Sequence, residues 1–114
     1  MTDRTLKINS LFKKEIGKII LEEVEFPEGV LATITEVDTF PNLIESKIYI
    51  SCFPENRIDN VLEILKSRIY EIQKKLNKKL NMRPVPKIVF VKEDKTKEAD
   101  RVEGLLEELK KEEK

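Results

Sequence analysis

Two closely spaced prolines, Pro84 and Pro86, divide a helical stretch from an extended one. Upstream, "IDNVLEILKSRIYEIQKKLNKKLNM" places Leu62, Leu65, Ile69, Ile72, Leu76 and Leu80 three and four residues apart, the spacing of one helix face. Proline has no N–H to give a helix and pushes the residue before it towards extended backbone, so this helix must end by Arg83. Downstream, "KIVFV" is a short apolar run rich in β-branched residues and reads as a strand. Asn56 is a candidate N-cap for the helical run, with Asp59 in its first turn, where negative charge is favoured.

Three further segments precede this unit. From Arg4 to about Glu25, Ile8, Leu11, Phe12, Ile16, Ile19, Ile20 and Val24 form one stripe of an amphipathic helix, which Pro27 and Gly29 end. "VLATITEVDTF" and "IESKIYISCF" alternate with period two and are joined by Pro41-Asn42, which predicts an antiparallel hairpin. In the second of these runs Ile44, Ile48 and Ile50 are expected to face the core, with Lys47, Tyr49 and Ser51 on the other side. Residues 97–109, with Val102, Leu105, Leu106 and Leu109, read as a short terminal helix weakened by Gly104 by about 1 kcal/mol relative to alanine. Residues 110–114 are expected to fray, leaving 1–109 as a single domain.

The order helix, strand, strand, long helix, strand specifies an α+β domain with helices on one face of a three-stranded sheet. The long helix has to cross the sheet to reach the third strand, as in a type II KH-like domain. Whether it runs unbroken or as two helices is open, giving α-β-β-α(-α)-β.

Charge adds the next constraint. The 114 residues carry 22 basic and 22 acidic side chains, so the net charge is zero. Residues 66–91 nevertheless hold eight basic residues against a single acid, Glu71. Such a cluster attracts polyanions at short range even on a neutral protein, because charges beyond a Debye length of ~8 Å are screened. On the helix, Arg68, Lys75 and Lys79 flank the apolar stripe and Lys74 and Lys78 lie roughly opposite it.

Several kinds of chemistry have no residues to carry them. Histidine is absent, which excludes His-based triads and His-ligated zinc. Cys52 is the single cysteine, so no intramolecular disulfide exists, and its apolar surroundings suggest a small core residue. Gly17, Gly29 and Gly104 are too far apart for a phosphate-binding loop. Glu22, Glu23 and Glu25, and Asp94, Glu98 and Asp100, are expected to be exposed and supply no recognisable catalytic pair. No apolar run approaches the roughly 20 residues needed to span a bilayer. The expectation is a soluble, cytoplasmic, monomeric protein with no catalytic function, no cofactor or metal and no membrane partner.

"TITEVDTFPNLIESKIYIS" (33–51) and "LNMRPVPKIVFVKED" (80–94) resemble the hairpin and the Leu-Arg-x-x-Pro-x-Leu-x-Phe-x-x-Asp signature of the ribosome-binding factor A family. Met82, Arg83, Pro86, Ile88, Phe90 and Asp94 occupy the signature positions. The resemblance runs from about Arg4 to Leu109. It implies a bacterial assembly factor that binds the immature small (30S) ribosomal subunit and its precursor 16S rRNA, assists late maturation without catalysis, and works beside other assembly factors. The rRNA-binding residues expected on this basis are Lys66, Arg68, Tyr70, Lys74, Lys75, Lys78, Lys79 and Arg83. Charge reversal at Lys75 and Lys79 is expected to abolish subunit binding at nearly unchanged stability.

One departure concerns the long helix. Where the family carries an Ala-x-Gly kink, this chain has Arg68-Ile69-Tyr70, with no small residue to ease a bend. Tyr70 has two readings, a stacking surface for bases or a cover for the core edge. Arg83 also has two, an RNA contact or a partner for helix C-terminal carbonyls or for Asp94. A rival to the RNA reading is a protein-interaction module whose basic helix meets an acidic partner.

Overall fold

The computed structural model describes residues 3–93. The terminal helix predicted over 97–109, the frayed tail and the Arg83–Asp94 alternative lie outside the described residues. Within them the order is α1 (Asp3–Glu23), β1 (Leu31–Thr39), β2 (Glu45–Phe53), a 3₁₀ turn (Glu55–Arg57), α2 (Ile58–Ser67), α3 (Ile69–Lys79) and β3 (Lys87–Lys92). The sheet order is β1-β2-β3, with β1 and β2 antiparallel and β2 and β3 parallel. The parallel pair requires a crossover, and α2 and α3 supply it.

Helix α1 buries Ile8, Phe12, Ile16, Ile19 and Ile20, and Val24 just past its end, as the spacing predicts, while Leu11 stays exposed at the edge of the stripe. Past the helix, Val30 N–H bonds to Pro27 O at 3.0 Å and Gly29 takes φ 83°, a left-handed conformation that glycine adopts without steric cost.

The hairpin departs from simple alternation at one point. Ile34 pairs with Ile50 and Glu36 with Tyr49, leaving Thr35 as the extra residue of a bulge. That insertion brings Ile34 and Val37, three residues apart, to the same face of the sheet. Strict period two would have put them on opposite sides. The hairpin connection is held by Leu43 N–H to Phe40 O at 2.8 Å and Ile44 N–H to Asn42 Oδ1 at 3.0 Å.

Val37, Ile48, Ile50, Ile88 and Phe90 share the helix-facing side and join the buried residues of all three helices in one core. One expectation for this sheet is corrected. Ile44 lies before β2 and is 67% exposed, because the turn carries it off the buried face. Tyr49, on the other face, is buried in the middle strand between its register partners Glu36 and Val91. Cys52 is half-buried at the core margin and not fully inside; its thiol donates to Pro54 O at 3.2 Å, and burial pushes its pKa up.

The long helical run is two helices. Asn56 lies in the 3₁₀ turn, and Arg57, with no side-chain cap, occupies the N-cap position of α2. Arg68, at φ −106° and ψ 6°, separates α2 from α3. The carbonyls released at the break find partners: Ser67 Oγ donates to Ile64 O at 2.6 Å and Arg68 N–H to Leu65 O at 3.1 Å. The break falls at Arg68-Ile69-Tyr70, the stretch where the resemblance implied a kink. A small residue is not required for it, because the bridge-region conformation of Arg68 is open to ordinary side chains.

Candidate nucleic-acid interface

Helix α3 presents the basic segment, and three contacts fix where it sits. Its buried face, Ile72 and Leu76, packs into the core. Gln73 reaches the start of β3, where its Nε2 donates to Pro86 O at 3.2 Å and its Oε1 accepts from Ile88 N–H at 2.9 Å. The same amide donates to Asn77 Oδ1 at 3.0 Å on the next turn. At the C-terminal end Arg83 Nη1 donates to the carbonyls of Asn77 (3.2 Å), Leu80 (3.2 Å) and Met82 (2.8 Å). The carbonyl-capping role open to Arg83 is therefore realised, by a cation placed where the helix dipole favours one. Gln73 escaped the sequence reading. Its one signal is an uncharged polar residue between buried Ile72 and the lysines.

With Arg83 engaged on the helix-end carbonyls, the structure sorts the other seven candidates into two groups. On the flank facing α1, Arg68 Nη2 lies 3.6 Å from Glu23 Oε2 and also meets Glu23 O at 3.4 Å. Lys75 Nζ is hydrogen-bonded to Glu23 Oε1 and is 3.9 Å from Glu22 Oε2, and Lys79 Nζ is 3.7 Å from Glu15 Oε2. The Lys75 hydrogen bond, with the nearby charges of Lys75 and Arg68, holds the Glu23 carboxyl below its usual range against an opposing effect of desolvation. These three cations are thus partnered by α1.

Tyr70, Lys74 and Lys78 follow one another at four-residue spacing on the other side of α3, and Lys66 stands in the last turn of α2. All four are exposed, Tyr70 at 72%, so the alternative in which its ring covers the core edge is set aside. Among the described residues no ion pair involves Lys66, Lys74 or Lys78. The result is a band of open positive charge with an aromatic face at the break between two helices. Phosphates and an unstacked base are the groups that such a band accommodates.

Among the described residues no cluster of three His, Cys, Asp or Glu side chains could hold a metal ion, and no helix is long and apolar enough to cross a membrane.

Comparison with known proteins gives this geometry a family. The family model described as ribosome-binding factor A matches residues 4–106. The chain belongs to the ribosome-binding factor A family. Curated ribosome-binding factors A from Chlorobium phaeobacteroides and Akkermansia muciniphila are similar to it. The first is 34% identical over 116 residues, covering 98% of each chain. The second is 32% identical over 111 residues, covering 97% of this chain and 88% of the other. Among solved structures, a Thermotoga maritima protein described as a putative ribosome binding factor A superposes with a TM-score of 0.69 at 19% identity, covering 82% of this chain and 90% of that one. The crystal structure of the Thermus thermophilus protein gives 0.65 at 17% identity, covering 77% and 93%. Coordinates of the Thermus thermophilus protein fitted into the density of a 30S complex give 0.62 at 19% identity, covering 73% and 88%. The fold is thereby the KH-like α+β fold of ribosome-binding factor A structures, with its interhelical break at Arg68.

Proposed function

We propose that this protein is a ribosome assembly factor that binds the immature 30S subunit and its precursor 16S rRNA through the face carrying Lys66, Tyr70, Lys74 and Lys78, and assists late maturation without catalysis. The observation that carries the reading is the open band itself. Among the described residues, three exposed cations without acidic partners lie beside an exposed tyrosine at the helix break. Family membership supports the choice of partner, as does the 30S complex of the Thermus thermophilus relative. Other assembly factors act beside it in this reading.

The structure also changes which variant tests the proposal. Lys75 and Lys79 tie α3 to α1, so charge reversal there sets like charges against Glu15, Glu22 and Glu23 and perturbs the fold as well as any RNA contact. Among the described residues Lys74 and Lys78 have no such partners. Lys74→Glu with Lys78→Glu is expected to abolish co-sedimentation with free 30S subunits while leaving the thermal midpoint nearly unchanged. For the wild type, about three phosphate contacts predict that log K falls against log salt with a slope of about −2 to −3. Co-sedimentation with free small subunits, large subunits and assembled ribosomes across a salt series, with and without ribonuclease, makes the measurement. Normal subunit binding by the folded double variant removes this face from the interface.

A further inference from the structure

Among the described residues the basic segment is covered along one side, by acidic groups of α1. Arg68 and Lys75 share Glu23, Lys75 also lies near Glu22, and Lys79 meets Glu15. Lys66, Lys74 and Lys78, with comparable sequence surroundings, have no such partner among the described residues. A carboxylate beside a lysine occupies the position that a phosphate oxygen would take and carries the same sign of charge. A nucleic-acid backbone approaching Arg68, Lys75 or Lys79 must therefore displace an intramolecular anion or lie against it.

We infer that Glu15, Glu22 and Glu23 are specificity-determining residues: by occupying the inner row of cations they confine RNA phosphates to the outer row and suppress binding to RNA of the wrong shape. This rests on the interface reading above. A helix with both rows open would accept a phosphate backbone in several orientations, since phosphate contacts carry affinity and position but no sequence information. With one row closed, a backbone that follows the outer line is accepted and others meet repulsion from α1, which separates right from wrong partners by penalising the wrong ones.

Two acids on α2 and α3 provide a control of equal charge. Glu63 and Glu71 are exposed, and no ion pair among the described residues involves either. Glu15→Gln with Glu23→Gln removes two negative charges and releases Arg68, Lys75 and Lys79 from their main partners. Glu63→Gln with Glu71→Gln removes the same charge and releases none. Both pairs are compared with the wild type for binding to free 30S subunits and to a generic duplex RNA across a salt series, with thermal melts verifying the fold. Glu23→Gln alone, which frees Arg68 and Lys75, replaces the first pair if that pair does not fold.

For Glu15→Gln with Glu23→Gln, the expected result on duplex RNA is a steeper salt slope, by about 1.5 to 3, and an affinity gain of about tenfold. The gain on 30S subunits is smaller, so the preference for the subunit falls. The Glu63/Glu71 variant, which removes negative charge one helical turn from Lys66 and Lys74 but frees no paired cation, keeps the wild-type salt slope, and any affinity gain is shared by subunit and duplex RNA so that the preference is kept. Parallel slopes for wild type and the Glu15/Glu23 variant, or an equal effect from the control pair, overturn the inference and leave only bulk charge. Failure of the interface reading shows separately, as normal subunit binding by the Lys74/Lys78 variant.

Discussion

Glu23 is the residue on which most of the electrostatics of this surface converges. Its carboxylate accepts from Lys75 and lies beside Arg68, and its backbone carbonyl accepts from the same arginine. Its folded pKa is lowered from the ordinary 4.5, first by the hydrogen bond from Lys75. Protonation therefore favours the unfolded chain. The contribution of this group to stability is complete above the unfolded pKa and is lost as pH falls through the lower folded value. Thermal midpoints of the wild type and Glu23→Gln are expected to differ modestly at neutral pH and to converge as pH falls through the lowered folded value. The gap stays small because the pairs face solvent, where ions are well screened. Melting curves across an acid pH series make the comparison, and a gap that persists at low pH would remove the carboxylate charge as its cause.

At the scale of the elements, the contact between α3 and β3 depends on Gln73 as much as on apolar packing. One side-chain amide serves both Pro86 O and Ile88 N–H, at the point where the chain leaves the Pro84–Pro86 turn and enters β3. Replacement by leucine keeps the volume and leaves both groups without this partner. The expected cost is about 1–3 kcal/mol, the penalty of an unsatisfied part-buried polar group. Urea denaturation measures it, and a variant as stable as the wild type would show that water serves those groups equally well. The α1–β1 contact uses the same device, with Thr39 N–H donating to Asn9 Oδ1 at 3.0 Å, and the buried Thr39 and Ser46 hydroxyls pair at 2.7 Å. Helix and strand types were legible in period and punctuation. The bulge at Thr35 and the break at Arg68 were not, since both depend on how a segment meets its neighbours.

For the molecule as a whole, α1 couples the sheet to the crossover helices. Phe12 is fully buried in a core that includes residues of every helix and strand. Phe12→Ala is expected to cost about 3–5 kcal/mol, the usual loss for an aromatic side chain removed from a packed core. In this core all elements should lose structure in one transition, which circular dichroism and hydrogen exchange read separately. A local loss confined to α1 would show that the sheet and crossover helices stand without it. The sequence by itself determined the apolar stripes, the strand run after Pro86, the basic segment and the family, because each is written in local spacing or in contiguous motifs. Only the tertiary structure decided which cations are open. The acids that neutralise Arg68, Lys75 and Lys79 lie 45 to 64 residues earlier in the chain, and packing of α1 against α3 alone brings opposite charges across that separation within ion-pair range.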